Sequence, residues 1–133
     1  MEAGQTDEAT STALAGARIL VVEDEPFIAF DLVMAIEDAG GQAIGPASSI
    51  HDALDLIAGT SPDGAILDVN LPDGNIGPVL DALRGLPGIV VHTGVGLPPG
   101  VRAAHPHVPV FTKPTSPATL LGRLASSMVR PGA

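Results

Sequence analysis

The sequence predicts a doubly wound α/β domain, in which helices cover both faces of a parallel β-sheet. Five short aliphatic runs alternate with helix-like segments along the 133 residues. Strands buried on both faces of a parallel sheet read as continuous aliphatic runs, and each needs a crossover helix to reach the next. The length suits one domain, and a content of 45% hydrophobic but only 2% aromatic residues makes its core aliphatic.

The first half of the chain supplies two strands and two helices. Residues 18–22 form the first strand, and Pro26 suits the first turn of a helix that stops before Gly40. A weaker second strand contains Pro46 and belongs at the sheet edge. Ser49 begins the second helix as its N-cap. On the first helix, the spacing predicts an inward face of Phe27, Phe30, Val33 or Met34, and Ile36.

The second half repeats the alternation with shorter elements. The third strand ends at Asp68, a short third helix follows, and the fourth strand ends at Thr93. The prolines and glycines of residues 94–109 leave room for one or two helical turns, so we expect a short, irregular fourth helix. The fifth strand leads into Lys113, and a last helix begins with Ser116 as its N-cap.

Composition argues against several classes of function. The formal charge of −9, from 15 acids and 6 bases, disfavours a nucleic-acid or anionic membrane surface. The chain has no cysteine, which removes disulfides and thiolate chemistry and fits a reducing cytoplasm. Residues 1–16 lack the basic and apolar regions of a signal peptide and are predicted to be a disordered tail. No apolar run can span a membrane, so we expect a cytoplasmic protein.

Polar side chains gather at the carboxyl ends of the predicted strands, where such folds bind ligands. Glu23 and Asp24 follow the first strand, and Asp68 follows the third. Thr93 ends the fourth strand, and Lys113, the only lysine, follows the fifth. Carboxylates are ligands for Mg²⁺, and a carboxylate can also accept a phosphoryl group. A lysine and a hydroxyl would stabilise the charge of that group, so the set predicts a magnesium and phosphoryl site.

Four stretches at these strand ends resemble the receiver domain of two-component response regulators. They are "ILVVEDEP", "AILDVNLPDG", "VVHTG" and "FTKP", and they occur in the order that the family has them. The resemblance covers residues 17–130. It implies a flavodoxin-like or CheY-like fold, with a five-stranded parallel sheet in the order 2-1-3-4-5.

The resemblance implies a role for each residue of the site. Asp68 would accept phosphate from a phosphohistidine, and Thr93 and Lys113 would bind the phosphoryl group. Pro114 would follow a cis peptide bond, and Gly94 would leave room beside the phosphate. The implied Mg²⁺ ligands are Glu23, Asp24, Asp68 and the backbone carbonyl of Asn70.

The resemblance also implies a function. The chain would be a stand-alone response regulator without an output domain, phosphorylated by a histidine kinase or a histidine phosphotransfer protein. It would signal by contact with a downstream protein target, and it would catalyse only its own phosphorylation and dephosphorylation. The alternative is a pseudo-receiver, a protein-binding module that acts without phosphorylation.

Two other α/β classes fit the sequence less well. A haloacid-dehalogenase-like phosphatase also forms an aspartyl phosphate, but it needs an aspartate two residues after the nucleophile, where this chain has Asn70. A flavodoxin cradles a phosphate with hydroxyls and amides in its first loop, and the acids of "EDEP" would repel that phosphate.

Some residues in these stretches have simpler explanations. Asp24 and Glu25 would favour the dipole of the first helix, and Thr93 would suit any strand. Four such explanations would have to coincide at one sheet edge, so a common magnesium and phosphoryl site is the preferred interpretation of these residues as a group. For Glu25, and for Asp73 in its turn, the local explanation is favoured. Packing or solvent-exposed roles are favoured over metal binding for the four histidines, which lack ligand spacing. They are His51, His92, His105 and His107.

One position departs from the family. Receivers usually have an aromatic residue three positions before the lysine, where this chain has Val110. A valine cannot make the inward and outward swing of that aromatic. We therefore expect phosphorylation to order or shift the loop of residues 94–109 instead.

Overall fold

The computed structural model describes residues 13–128, which form one parallel sheet between two layers of helices, with a small hairpin at one end. The strands are β1 (Arg18–Val22), β2 (Gln42–Ala47), β3 (Gly64–Leu67), β4 (Asn70–Leu71), β5 (Gly74–Asn75), β6 (Gly88–Thr93) and β7 (Val110–Thr112). The helices are α1 (Pro26–Asp38), α2 (Ile50–Thr60), α3 (Gly77–Ala82), α4 (Pro99–Ala104) and α5 (Pro117–Met128).

The main sheet has the order β2-β1-β3-β6-β7, and every neighbouring pair is parallel. The strands β6 and β7 are the predicted fourth and fifth strands, so the predicted order 2-1-3-4-5 is confirmed. The two-residue strands β4 and β5 pair antiparallel, and they contain no aliphatic run by which the sequence would predict them. Because all five strands of the main sheet run the same way, their carboxyl ends lie at one edge.

The core is aliphatic and lies on both faces of the sheet, as the fold class requires. Leu20 and Val22 of β1 belong to the cluster under α2 and α3, and Ile19 and Val21 belong to the cluster under α1 and α5. Alternate side chains of a strand point to opposite faces. Each face of the sheet therefore buries half of the β1 side chains. Burial of apolar side chains on the two faces supplies the main free energy of folding.

The predicted inward face of α1 is largely wrong. Ala29, Leu32 and Ile36 are buried, whereas Phe27 is 81% exposed and Phe30 is 62% exposed. Val33 is half-buried, and Met34 is also exposed. The helix is apolar around most of its circumference, so hydrophobic spacing fits two alternative stripes and does not choose between them.

The predicted helix boundaries agree closely with the structure. The Ser49 hydroxyl accepts the N–H of Asp52 at 3.1 Å, and the Ser116 hydroxyl accepts the N–H of Thr119 at 3.2 Å. Gly40 follows α1 with a φ of +88°, a left-handed conformation that favours glycine. The predicted short fourth helix is confirmed, since α4 has six residues.

The predicted tail is too long at its carboxyl side. Residues 13–16 form a turn in which Leu14 is buried, and the Leu14 N–H donates to the Ala39 carbonyl at 3.1 Å. The rest of that tail, residues 1–12, lies outside the described residues, as do residues 129–130 of the predicted domain. Among the helices of residues 13–128, none has the length and hydrophobicity that crossing a membrane demands.

Candidate functional site

Asp68 is a buried carboxylate directly after β3. Its own N–H donates to the Val22 carbonyl at 2.8 Å, which extends the pairing of β3 with β1. Its Oδ1 accepts the N–H of Val69 at 2.7 Å, and its Oδ2 lies 3.3 Å from Nζ of Lys113. Asp68 is 8% exposed, and its carboxylate is paired with Lys113, as a charge at the end of a buried strand requires.

Lys113 connects two strand ends through its side chain and a third through its backbone. Nζ lies 2.9 Å from Oε1 and 3.2 Å from Oε2 of Glu23, which follows β1 and is almost fully buried. The Lys113 N–H donates to the Thr93 carbonyl at 2.8 Å, which fixes the loop after β7 to the end of β6. Glu23, Asp68 and Lys113 thus form one cluster at the carboxyl edge of the sheet.

Burial and pairing shift the ionisation of this cluster. Burial raises the pKa of Glu23; hydrogen bonds from Lys113 and the Glu25 N–H oppose the rise only in part, and the charge of Asp68 adds to it. Burial alone would lower the pKa of Lys113, but its hydrogen bond to Glu23 and the charges of Glu23 and Asp68 prevail and raise it. The cluster has more carboxylates than cations, so it favours a further positive charge.

Asp24 completes a group of three acids. Oxygens of Glu23, Asp24 and Asp68 lie within 4.8 Å of one another, with Asp24 exposed and the other two buried. Hard oxygen ligands, one of them open to solvent, match the needs of Mg²⁺, which keeps several of its waters. The residues present therefore fit a magnesium ion.

The other two predicted site residues lie at the same edge. Thr93 is buried at the end of β6, and its Oγ1 accepts the N–H of Val95 at 3.1 Å. Asn70 is exposed at the start of β4, two residues after Asp68. Among the described residues, no hydrogen bond joins Thr93 to the carboxylates.

Glu25 and Asp73 stabilise helix starts. Glu25 is the N-cap of α1, and its Oε1 accepts the N–H of Phe27 at 2.9 Å. Asp73 lies in the turn between β4 and β5 and accepts the N–H groups of Ile50 at 2.7 Å and His51 at 3.0 Å. These two bonds, the Ile50 bond first, lower the pKa of Asp73. The local explanation suits Glu25, but sequence reasoning missed the contact of Asp73 with α2, because the partners are more than 20 residues apart.

The histidines divide into an exposed and a buried pair. His51 and His107 are exposed. His51 lies with Asp52 and Asp55 in an exposed group of potential ligand atoms, a grouping that sequence reasoning did not anticipate. Of the buried pair, His105 contacts Asp81 of α3 with 2.8 Å between Nε2 and Oδ1, and His92 accepts a hydrogen bond from the loop that carries Lys113.

Comparison with known proteins finds chains of similar sequence and fold. No family model matches the chain. The phyllosphere-induced regulator PhyR of Methylorubrum extorquens is 41% identical over 69 residues, which are 51% of this chain and 25% of that protein. The solved PhyR of Brucella abortus superposes with a TM-score of 0.72 at 24% identity, over 93% of this chain and 52% of that one. The non-phosphorylated receiver domain of HemR from Leptospira biflexa superposes with a TM-score of 0.71 at 26% identity, over 88% of this chain and 99% of that one.

The chain folds as a response regulator receiver domain. The fold and the family resemblance expected from the sequence are thereby confirmed. The chain spans about a quarter of the curated PhyR and about half of the solved one. Two of its details also match the expectation: the Lys113–Pro114 peptide bond is cis, and the half-buried Val110 packs where the family has an aromatic.

Proposed function

We propose that this receiver domain is a phosphorylation switch in which Asp68 accepts a phosphoryl group from a phosphohistidine. The observation that carries the proposal is the buried carboxylate of Asp68, which shares the ammonium of Lys113 with Glu23 at the ligand-binding edge of the sheet. In the transfer, an oxygen of Asp68 bonds to phosphorus while the phosphorus–nitrogen bond of the donor breaks. The electron pair of that bond stays on the donor imidazole.

Asp68 has the features of an oriented nucleophile. The Val69 N–H holds Oδ1 at 2.7 Å, which fixes the carboxylate plane, while Oδ2 faces Lys113. Transfer of a phosphoryl group is accelerated mainly by positioning and by electrostatic stabilisation. A fixed carboxylate beside an ammonium supplies both.

The surrounding groups would stabilise the added negative charge. Lys113 would pair with a phosphoryl oxygen after transfer, since its ammonium already lies 3.3 Å from Oδ2 of Asp68. The Thr93 oxygen accepts the N–H of Val95, so its own proton stays available for a phosphoryl oxygen. Glu23, Asp24, Asp68 and the Asn70 carbonyl would hold Mg²⁺, which supplies positive charge to the phosphoryl oxygens when bound.

The partners we infer are proteins of the cytoplasm. An exposed apolar stripe of Phe27, Phe30 and Met34 runs along α1, which begins immediately after the acidic cluster. Such a stripe suits contact with a histidine kinase or histidine phosphotransfer protein as phosphodonor. PhyR of Bartonella quintana is described as an anti-anti-sigma factor. We infer that this receiver domain signals by contact with a protein target, and the formal charge of −9 disfavours nucleic acid as the target.

The test is the intact mass of the protein after incubation with acetyl phosphate, with and without Mg²⁺. Wild type is compared with Asp68→Asn and with Asp55→Asn, an exposed aspartate of α2 that serves as a matched control. We expect one phosphoryl adduct that requires Mg²⁺, is absent in Asp68→Asn and is retained in Asp55→Asn. Circular dichroism establishes that both variants fold.

A wild type without adduct, with acetyl phosphate and also with histidine kinases as donors, would contradict the proposal. The pseudo-receiver would then be the better description, since Val110 already lacks the aromatic ring of the usual switch. An adduct that persists in Asp68→Asn would place the acceptor elsewhere.

A further inference from the structure

His92 is a buried polar side chain that lines a cavity together with Ile28, Leu32 and Lys113. It precedes Thr93 on β6 and is 4% exposed. Its side chain projects to the same face of the sheet as Val90, toward α1 and α5, since side chains two apart on a strand share a face. An aliphatic residue would fill this position without burying polar atoms, so the imidazole needs an explanation.

A single hydrogen bond joins the His92 ring to the neighbouring loop. The backbone N–H of Thr115 donates to Nε2 of His92 at 3.2 Å. A ring nitrogen that accepts a hydrogen bond carries no proton, so a neutral ring has its proton on Nδ1. Nδ1 is buried and has no partner among the described residues. The Nδ1–H of His92 thus stays unpaired, while Nε2 of the same ring accepts the hydrogen bond from Thr115.

The surroundings of His92 keep the ring in its accepting form. Burial lowers the pKa of His92, the charge of Lys113 acts in the same direction, and the charge of Asp68 opposes them. A protonated ring could not accept the N–H of Thr115. The ring is therefore neutral at physiological pH and available as an acceptor.

Thr115 belongs to the short loop that carries Lys113. Two bonds tie this loop to β6: the Lys113 N–H to the Thr93 carbonyl at 2.8 Å, and the Thr115 N–H to His92. On the side of α1 the loop borders a cavity of about 180 Å³, lined by Ile28, Leu32 and other residues. Within the loop the Thr115 hydroxyl donates to the Thr112 carbonyl at 2.6 Å, so Thr115 is bonded both to its own loop and, through its N–H, to the His92 side chain.

We propose that His92 is a positioning residue for Lys113: by accepting the Thr115 N–H it holds the loop so that the ammonium reaches Asp68 and Glu23. This inference rests on the proposed function for its consequence, faster phosphorylation of Asp68, but not for the geometry it describes. His92 does not touch the reacting atoms and acts only through the loop. The end of β6 would therefore contribute both Thr93 and, through its neighbour, the placement of the lysine.

The test compares three variants. His92→Leu keeps apolar bulk and removes the acceptor, whereas His92→Gln restores an oxygen that can reach the Thr115 N–H. Val90→Ala is the matched control, because Val90 is fully buried on the same face of β6 but does not bond to the loop. Three measurements are made on each: amide exchange at Thr115, the ¹³Cε resonance of Lys113, which is the only lysine, and the rate of adduct formation with acetyl phosphate.

In His92→Leu we expect Thr115 exchange about fivefold faster and adduct formation about tenfold slower, as for loss of one hydrogen bond and of the oriented cation. The Lys113 resonance moves toward that of an exposed lysine. In His92→Gln all three return close to wild type, and Val90→Ala lowers the melting temperature without changing them. Wild-type values in His92→Leu, or equal defects in His92→Leu and His92→Gln, would overturn the proposal.

The two proposals fail in distinguishable ways. If wild type takes up no phosphate, the proposed function is wrong, while Thr115 exchange and the Lys113 resonance still decide whether His92 holds the loop. If wild type is phosphorylated and His92→Leu leaves the loop and the rate unchanged, only the role of His92 is wrong.

Discussion

Nζ of Lys113 lies 2.9 Å from Oε1 of Glu23, so a salt bridge joins the end of β1 to the loop after β7. The contact is shorter than the 3.3 Å between Lys113 and Asp68. The lysine is therefore held mainly by a residue that is not the proposed phosphoacceptor. Glu23 would keep the cation in place while the charge on Asp68 changes.

Lys113 should titrate above an ordinary lysine. Its pKa is raised, so the stability that its charge contributes is present at neutral pH and lost as the pH rises through the folded-state value. An alkaline titration of the single ¹³Cε signal should give a midpoint above the usual value of about 10.4. Glu23→Gln should lower this midpoint, whereas Asp24→Asn, at an exposed carboxylate, should change it little. A midpoint at or below the ordinary value would contradict this assignment.

Glu23→Gln should stabilise the protein in the absence of divalent cations. Because burial raises the pKa of Glu23, the folded state binds a proton more readily than the unfolded state does, and ionised Glu23 is a net cost at neutral pH. We expect the melting temperature to rise by about 2–4 °C. With saturating Mg²⁺ the wild type should have the higher melting temperature, because binding of the cation stabilises the wild type more than Glu23→Gln. Thermal unfolding at pH 7 with and without Mg²⁺ checks both signs, and a lower melting temperature without Mg²⁺ would refute the prediction.

The strand ends of this site could be predicted because they depend on short-range pattern. Aliphatic runs that stop at Glu23, Asp68 and Thr93 fix where each strand ends, and the parallel topology then brings those ends to one edge. The roles of Asp73 and His92 could not be predicted, since each depends on a contact with a segment more than 20 residues away. The inward face of α1 failed for a different reason. Bulky Phe27 and Phe30 outweigh small Ala29 in any hydrophobic pattern, although Ala29 is the one of the three that is buried.

Asp73→Asn should weaken the start of α2. Two backbone N–H groups, those of Ile50 and then His51, bond to the carboxylate and lower its pKa. A carboxyl group whose pKa is lower in the folded state than in the unfolded state stabilises the protein at pH values above its unfolded-state pKa. This stabilisation is lost as the pH falls through the folded-state pKa. We expect a melting temperature about 2–4 °C lower at pH 7, and a difference that vanishes well below pH 4. Asp31→Asn, an exposed aspartate on α1, is the charge-matched control, and a pH-independent difference would argue against the assigned bonds.

His105→Ala should loosen α4 while leaving the sheet intact. Nε2 of His105 lies 2.8 Å from Oδ1 of Asp81, and this contact ties the end of α4 to α3 with the imidazole buried. Its loss should cost about 1–2 kcal/mol of unfolding free energy and speed amide exchange from Val101 to His105. Arg84→Ala is the matched control, because Arg84 contacts the same Asp81 in an exposed ion pair at 3.3 Å, and such a pair contributes little. Both variants are measured by urea unfolding and hydrogen exchange. Equal effects of His105→Ala and Arg84→Ala would contradict the prediction that the buried contact stabilises α4 more than the exposed ion pair does.

Phosphorylation should change hydrogen exchange in the loop of residues 94–109. Val110 is half-buried against the core and has no ring to swing, so the usual aromatic relay has no counterpart here. The Thr93 hydroxyl accepts the N–H of Val95, and a hydroxyl drawn toward a phosphoryl oxygen would weaken that bond at the start of the loop. The six-residue α4 inside the loop has no buried side chain, so little packing free energy resists its movement.

Exchange measured on wild type with and without acetyl phosphate and Mg²⁺, with Asp68→Asn as the control, should therefore differ first at Val95 and then through α4. Unchanged exchange in a protein that carries the phosphoryl adduct would mean that the signal leaves by another surface, and the apolar stripe on α1 would be the next to measure.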